Sequence, residues 1–325
     1  MPVSRDYFIS EANFSESMKN IVEPFLKAHA EDSFFEAPDG NKIHYVFYKA
    51  ENPVANLVIA HGFTESAEKF LEMCYYFLNM NLNVFIVDHR GHGLSHRHNS
   101  EPEVVHISYF EQYVEDLQCL VDKVVKVKAP CLPMYLYSHS MGGAISVQHL
   151  QTYPGVFEKA ILSAPMIKAK TAGIPEGIAK VVTSLFIRLG KEKEKVIGYK
   201  GFRPERTYEE SHDTSKARFD YYHKKKIDNE ILRTAAPSYR WVNEAIRISR
   251  LNLDEKRNEK ITADILLCQP EEDSTVFSEM EDVFIRMVKK GRLVRFTECK
   301  HEIYNSVDNT VREYLDTIEG FLFNN

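Results

Sequence analysis

Ser140 lies in the stretch Tyr135-Leu136-Tyr137-Ser138-His139-Ser140-Met141-Gly142-Gly143. A short apolar run ends there in a small-x-Ser-x-Gly-Gly turn, and a helix is predicted from 143 to 151. A serine held on a sharp strand-to-helix turn presents its Oγ to a pocket, which is the layout a nucleophile for acyl transfer needs. The positions two before and two after it fall where strand and helix nearly touch, so their side chains must be minimal. Gly142 meets that demand, whereas Ser138 adds a hydroxymethyl where such turns usually carry glycine.

A serine hydroxyl is a weak nucleophile until a base, itself oriented by a carboxylate, lies within hydrogen-bond reach. With this turn the chain order is serine, then acid, then histidine, the last two on loops after late strands. An apolar run at 265–268 leads into Gln269-Pro270-Glu271-Glu272-Asp273-Ser274-Thr275-Val276, and a run at 293–296 leads into Thr297-Glu298-Cys299-Lys300-His301-Glu302. His301 is the predicted base and Asp273 the predicted orienting acid, with Glu271 and Glu272 as alternatives on the same loop. A tetrahedral oxyanion needs two N–H donors. Met141 N–H, at a helix start, is one candidate. Phe63 N–H, in the His61-Gly62-Phe63-Thr64-Glu65-Ser66 loop after the 57–60 strand, is the other. A rival chemistry lies in Asp88-His89-Arg90-Gly91-His92-Gly93-Leu94-Ser95-His96-Arg97-His98, whose four histidines invite a metal. No carboxylate or cysteine stands there at ligand spacing, and the glycines read as a tight loop, so no metal and no cofactor are predicted.

These groups need a scaffold. Short, wholly apolar runs at 56–60, 84–87, 134–137, 160–163, 261–268 and 293–296 alternate with helical periodicity at 67–80, within 109–127, and at 143–151, 276–290 and 310–323. That alternation predicts an α/β fold, a mostly parallel central sheet with helices on both faces, whose ligands bind at the carboxyl ends of the strands. A hairpin (33–37, 43–48) and an amphipathic helix at 14–30, with Ile21, Val22, Phe25 and Leu26 apolar, precede it. Between 165 and 257 the alternation stops. This stretch is predicted to be an inserted helical cap, with residues 1–164 and 258–325 forming the core. Ile174, Ile178, Val181, Val182, Leu185, Phe186 and Leu189 form one helical stripe in it. Such a stripe packs inward or lines a substrate channel.

The 325 residues, 44% hydrophobic and 27% charged, suit a globular chain. The net charge is −6, yet Lys and Arg exceed Asp and Glu by eight between 161 and 260, which leaves −14 on the remainder. A basic middle on an acidic body suits a solvated helical face or peripheral contact with an anionic membrane. No basic run is interleaved with stacking aromatics, so nucleic acid is not an expected partner. Five widely spaced cysteines without a Cys-x-x-Cys motif read as reduced thiols, and no apolar run nears a membrane span. A cytoplasmic protein is expected, at most peripheral to the inner membrane face. Oligomeric state stays open.

Together these segments resemble the α/β-hydrolase family, in its bacterial lysophospholipase and monoacylglycerol lipase branch. The likeness rests on His61-Gly62-x-x-Glu65-Ser66, Asp88-His89-Arg90-Gly91-x-Gly93-x-Ser95, His139-Ser140-Met141-Gly142-Gly143-Ala144, Ala164-Pro165-Met166 and the loops around Asp273 and His301. Ala236-Pro237-Ser238-Tyr239-x-Trp241-Val242 adds to it, and the span is about residues 43 to 323. The resemblance implies an α/β-hydrolase fold and a serine hydrolase of small single-chain lipid esters, with Ser140, Asp273 and His301 as its triad. Ser138 and Thr64 depart from the glycine or alanine common in that branch. A peptidase or thioesterase with the same triad is the alternative, followed by a non-catalytic binding protein on the same scaffold.

Overall fold

The computed structural model describes residues 6–99, 101–171 and 173–324. Eight strands build its main sheet: β1 (Ala30–Glu36), β2 (Lys42–Tyr48), β3 (Ala55–Ala60), β4 (Leu82–Val87), β5 (Met134–His139), β6 (Lys159–Ser163), β7 (Asp264–Pro270) and β8 (Gly291–Phe296). Their order across the sheet is β1-β2-β4-β3-β5-β6-β7-β8. β2 pairs antiparallel with β1 and β4, and every other pairing is parallel.

Helices α1 (Leu71–Asn79), α2 (Glu111–Leu120), α3 (Met141–Thr152), α4 (Glu176–Arg188), α5 (Lys216–Asp228), α6 (Tyr239–Asn252), α7 (Ser278–Met287) and α8 (Asp308–Phe323) complete the frame. The all-apolar strands are buried on both sides because alternate residues feed two cores. Val58, Phe85, Leu136, Leu162 and Leu267 join α2, α3 and α7 on one face. Leu57, Ile59, Ile86, Tyr137, Ile161 and Leu266 join α1, α8 and the N-terminal helical run on the other. That run, Phe14–Ser17, Met18–Val22 and Glu23–His29, buries Phe14, Met18, Val22 and Leu26 at a spacing of four, through a π-turn at Met18–Val22. Ile21, predicted on the apolar face, is instead 50% exposed.

Some helix ends differ from expectation for local reasons. The predicted helix at 276–290 begins only at Ser278, because Val276 bridges to Ala169 and its N–H is bound by the Asp273 carboxylate. The helix after β5 starts earlier, at Met141, directly on the serine.

The stretch from 165 to 257 is not uniform. α6 packs on α3 and puts Trp241, Ala245 and Ile248 into the main core. α4 leans on α6 but leaves Ile178, Val181, Val182 and Leu185 at 55, 69, 41 and 53% exposure. The predicted stripe is therefore a solvent-facing surface. Parallel register brings the strand ends level: Ala60 pairs Ser138, His139 pairs Ser163, and Phe296 pairs Pro270. The loops after β3, β5, β7 and β8 consequently meet at one edge of the sheet.

Candidate active site

At that edge Ser140 adopts φ 51°, ψ −115°, a conformation costly for a residue with a Cβ. The surrounding backbone holds it there. Its N–H donates to Ser163 O at 3.1 Å, and its carbonyl accepts from Gly143, Met166 and Ala144 N–H at 2.9, 2.8 and 3.3 Å. Small residues permit the approach: a Cβ on Gly142 would stand 2.0 Å from the Ala60 carbonyl oxygen, and one on Gly143 would stand 2.4 Å from Pro165 Cβ. Ser138 fits because its hydroxyl reaches across to the Ile161 carbonyl, 3.4 Å away.

His301 Nε2 lies 2.9 Å from Ser140 Oγ, and its Nδ1 lies 2.7 Å from Asp273 Oδ2. The network sets the tautomer: Nδ1–H donates to the carboxylate, leaving Nε2 free to accept the serine proton. Asp273 Oδ1 accepts from Thr275 and Val276 N–H at 2.7 and 2.9 Å. Burial alone would raise its pKa, but the His301 contact and these two N–H donors hold it below the usual carboxylate value. The carboxylates of Glu271 and Glu272 are exposed and take no part. Both residues instead use their N–H groups to tie the loop, to Phe296 O at 2.9 Å and Cys299 O at 3.4 Å.

Of the two expected donors, Met141 directly follows the serine and Phe63 lies on the loop after β3. Met141 N–H opens α3, where the helix dipole favours an anion. The Phe63 loop is fixed from several sides. Gly62 N–H donates to Glu65 Oε2, and His61 Nδ1–H donates to Gly62 O at 2.7 Å. Because a trans peptide points its C=O and N–H in opposite directions, the second bond turns Phe63 N–H away from His61. The Phe63 carbonyl accepts from His92 Nε2–H at 2.5 Å, and its ring lies 4.3 Å from that of Trp241.

Part of the histidine-rich loop braces the Phe63 loop. His61 Nε2 accepts from His89 N–H at 3.1 Å, and burial, then the charges of His61 and Arg97, push His92 down to about 3. The His61 and His92 rings are bound to backbone groups of this loop and of the Phe63 loop. Asp88 anchors the same loop, accepting from Ala67 N–H at 2.7 Å, Leu94 N–H at 3.0 Å and His44 Nδ1 at 2.7 Å.

Sequence reasoning missed the layer behind His301. Tyr304 OH donates to Glu65 Oε1, Lys69 Nζ reaches Glu302 at 2.5 Å and Glu65 at 3.4 Å, and the His139 ring sits 4.7 Å from that of His301. Burial pushes His139 down to about 4, so it stays neutral beside the imidazole. Glu65 and Glu302 stood beside the chosen motifs, but only the fold reveals that they share one lysine.

The family model for serine aminopeptidase, S33, matches residues 51–308. Lysophospholipase L2 of Escherichia coli (strain K12) is 28% identical over 281 residues, covering 84% of this chain and 82% of that protein. Human monoglyceride lipase is 33% identical over 132 residues, 40% of this chain and 42% of its own. A soluble variant of Saccharomyces cerevisiae monoglyceride lipase superposes with TM-score 0.73 at 17% identity, covering 90% and 95% of the two chains. A carboxyl esterase from Bacillus coagulans also gives 0.73, at 18% identity over 90% and 97%. At that identity the two structures speak for the fold alone.

Proposed function

The chain belongs to the serine aminopeptidase S33 family, and from that membership we propose that it is a serine hydrolase that cleaves single-chain lipid esters, lysophospholipids or monoacylglycerols, through an acyl-enzyme. The observation that carries this is the series Ser140 Oγ, His301, Asp273, at 2.9 and 2.7 Å, on a strained turn. Ser140 Oγ attacks the ester carbonyl while His301 Nε2 takes its proton. The carbonyl π pair moves onto oxygen, where Phe63 and Met141 N–H receive it. Collapse breaks the bond to the alcohol, which leaves with the proton that His301 returns. Water then repeats the sequence and frees the fatty acid.

Lipid is favoured over peptide by two features. Relatives it matches are named lysophospholipase, over 84% of this chain, and monoglyceride lipase, over 40%. The cavity near His301 is lined by five lysine and arginine side chains against Glu210, Asp213 and Glu302, an excess opposite to what a protonated α-amine requires. The exposed face of α4, in the segment with eight surplus positive charges, meets an anionic lipid surface in this reading. Among the described residues no helix is long and apolar enough to cross a membrane.

Two assays test the reading: fluorophosphonate labelling, and fatty-acid release from lysophospholipid and monoacylglycerol, with p-nitroanilide amides as comparison. Labelling that disappears in Ser140→Ala, with esters preferred over amides, is expected. Folded wild-type protein that neither labels nor hydrolyses ends the hydrolase reading. Vesicle co-sedimentation indifferent to anionic lipid content ends the membrane contact.

A further inference from the structure

A cavity of about 260 Å³ lies near His301, lined by Thr64 of the donor loop, by His212 and by Glu302, the residue after His301. The His212 ring is 6.1 Å from the His301 ring. In ester cleavage the imidazole hands its proton to the departing alcohol, so the alcohol must lie on the imidazole's side of the serine. The cavity approaches that imidazole through His212.

The charges around it do not cancel. Glu302 pairs with Lys69 at 2.5 Å, a lysine it shares with Glu65 at 3.4 Å, and Arg203 pairs with Glu210 at 3.0 Å. Burial, then the charge of Glu302, raises the pKa of Asp213 well above the usual carboxylate range. What remains is Lys226, Arg206 and Lys200, none of which has a carboxylate within 4.0 Å among the described residues. Lys226 Nζ donates to Thr64 O at 3.4 Å and Thr234 O at 3.3 Å, and lies 5.5 and 5.9 Å from the ring centres of Phe202 and Tyr222. Burial, with Lys69 and Arg206 adding repulsion, pushes it down to about 7. Lys226 is only partly exposed, and an ammonium held out of water with no carboxylate in contact is costly unless a ligand brings one.

We propose that this cavity is an anion subsite that receives a phosphate group carried by the leaving alcohol, with Lys226, Arg206 and Lys200 as its specificity-determining residues. The inference rests on the hydrolase reading and sharpens it. The preferred ester is one whose alcohol bears a phosphate, and a neutral glyceryl ester leaves the three cations unanswered.

The test compares kcat/KM for 1-palmitoyl lysophosphatidylglycerol and 1-palmitoylglycerol in the wild type and in Lys226→Gln, Arg206→Gln and Lys200→Gln. The wild type should prefer the phosphate-bearing ester. Loss of a charge-assisted contact should lower that preference about ten- to a hundredfold in Lys226→Gln, chiefly through KM, and by less in the other two. Should Lys226→Gln fail to fold, Arg206→Gln and the rim variant Lys200→Gln carry the same comparison. Glycerol 3-phosphate should compete with the lysophospholipid, and glycerol should not. A wild type without the preference, or variants in which the ratio does not move, overturns the subsite. Inorganic phosphate that inhibits both esters alike, with the ratio unmoved, marks a free-anion site and also overturns it. Fluorophosphonate labelling separates the two failures: a labelled serine without phosphate preference sinks this inference and leaves the hydrolase standing.

Discussion

β3 and α4 are both aliphatic, and they meet opposite fates. Every residue of β3 is buried, since helices close over both faces of the sheet. α4 meets its neighbour α6 through the Phe186–Tyr239 ring stack at 4.1 Å and through polar groups: Thr183 Oγ1 accepts from Asn243 Nδ2 at 2.8 Å, and Lys180 Nζ donates to Asn243 Oδ1 at 2.8 Å. Its larger aliphatic side chains point outward. The sheet fixes the reacting groups by close packing, where one methyl is felt. The α4 face contributes little to folding and is left free to meet lipid. Rate and stability should therefore be set in the body, and surface partitioning on α4.

That division can be broken most forcefully at the sheet edge. Ser140→Ala and His301→Ala should each lower kcat by about 10⁴-fold or more, with Tm little changed. A residual rate within tenfold of wild type would move the chemistry elsewhere. Asp273→Asn should cost about 10³- to 10⁴-fold, because the amide leaves the imidazole in the wrong tautomer. An equal loss in Glu272→Gln would contradict the exposed position of that side chain. Gly142→Ala should lower stability by about 3 kcal/mol, read from the urea midpoint, since its methyl would meet the Ala60 carbonyl oxygen.

Acid should act next, through Asp88. Burial alone would raise its pKa, but His44, His61 and the Ala67 N–H together hold it down at about 2, against 3.8 for an ordinary aspartate. A depressed carboxylate stabilises the fold above the unfolded value, and that stability is lost as pH falls through the folded one. About 2 kcal/mol should therefore disappear between pH 4 and pH 2, and Asp88→Asn should flatten that limb of the stability curve. The smallest change in stability belongs to α4. Val181→Ser with Leu185→Ser should shift unfolding by less than about 0.5 kcal/mol while lowering vesicle partitioning at least about tenfold. A large loss of stability there would erase the contrast with β3.

The apolar runs made the sheet legible in the sequence, because a strand buried on both faces leaves no other pattern. The serine turn and the order serine, acid, histidine were legible too, since local sterics dictate the small residues and the topology dictates the order. Less was visible where side chains from distant segments converge. The stripe of α4 could be located, but its direction depends on how little α6 offers it. The bonding of Tyr304 to Glu65, and the cavity formed around Lys226, Arg206 and Lys200, follow from folding alone. Nothing in the spacing of those residues announces them.

Glu65 accepts the Gly62 N–H with one oxygen and the Tyr304 hydroxyl with the other, joining segments 239 positions apart. One carboxylate therefore clamps the strip that bears an oxyanion donor to the strip that bears the imidazole. A displacement of either is passed to its opposite number, so donor and base drift together or not at all. Grafting one strip from a relative without the other should yield a misaligned hybrid, and the pair is best regarded as a single heritable unit.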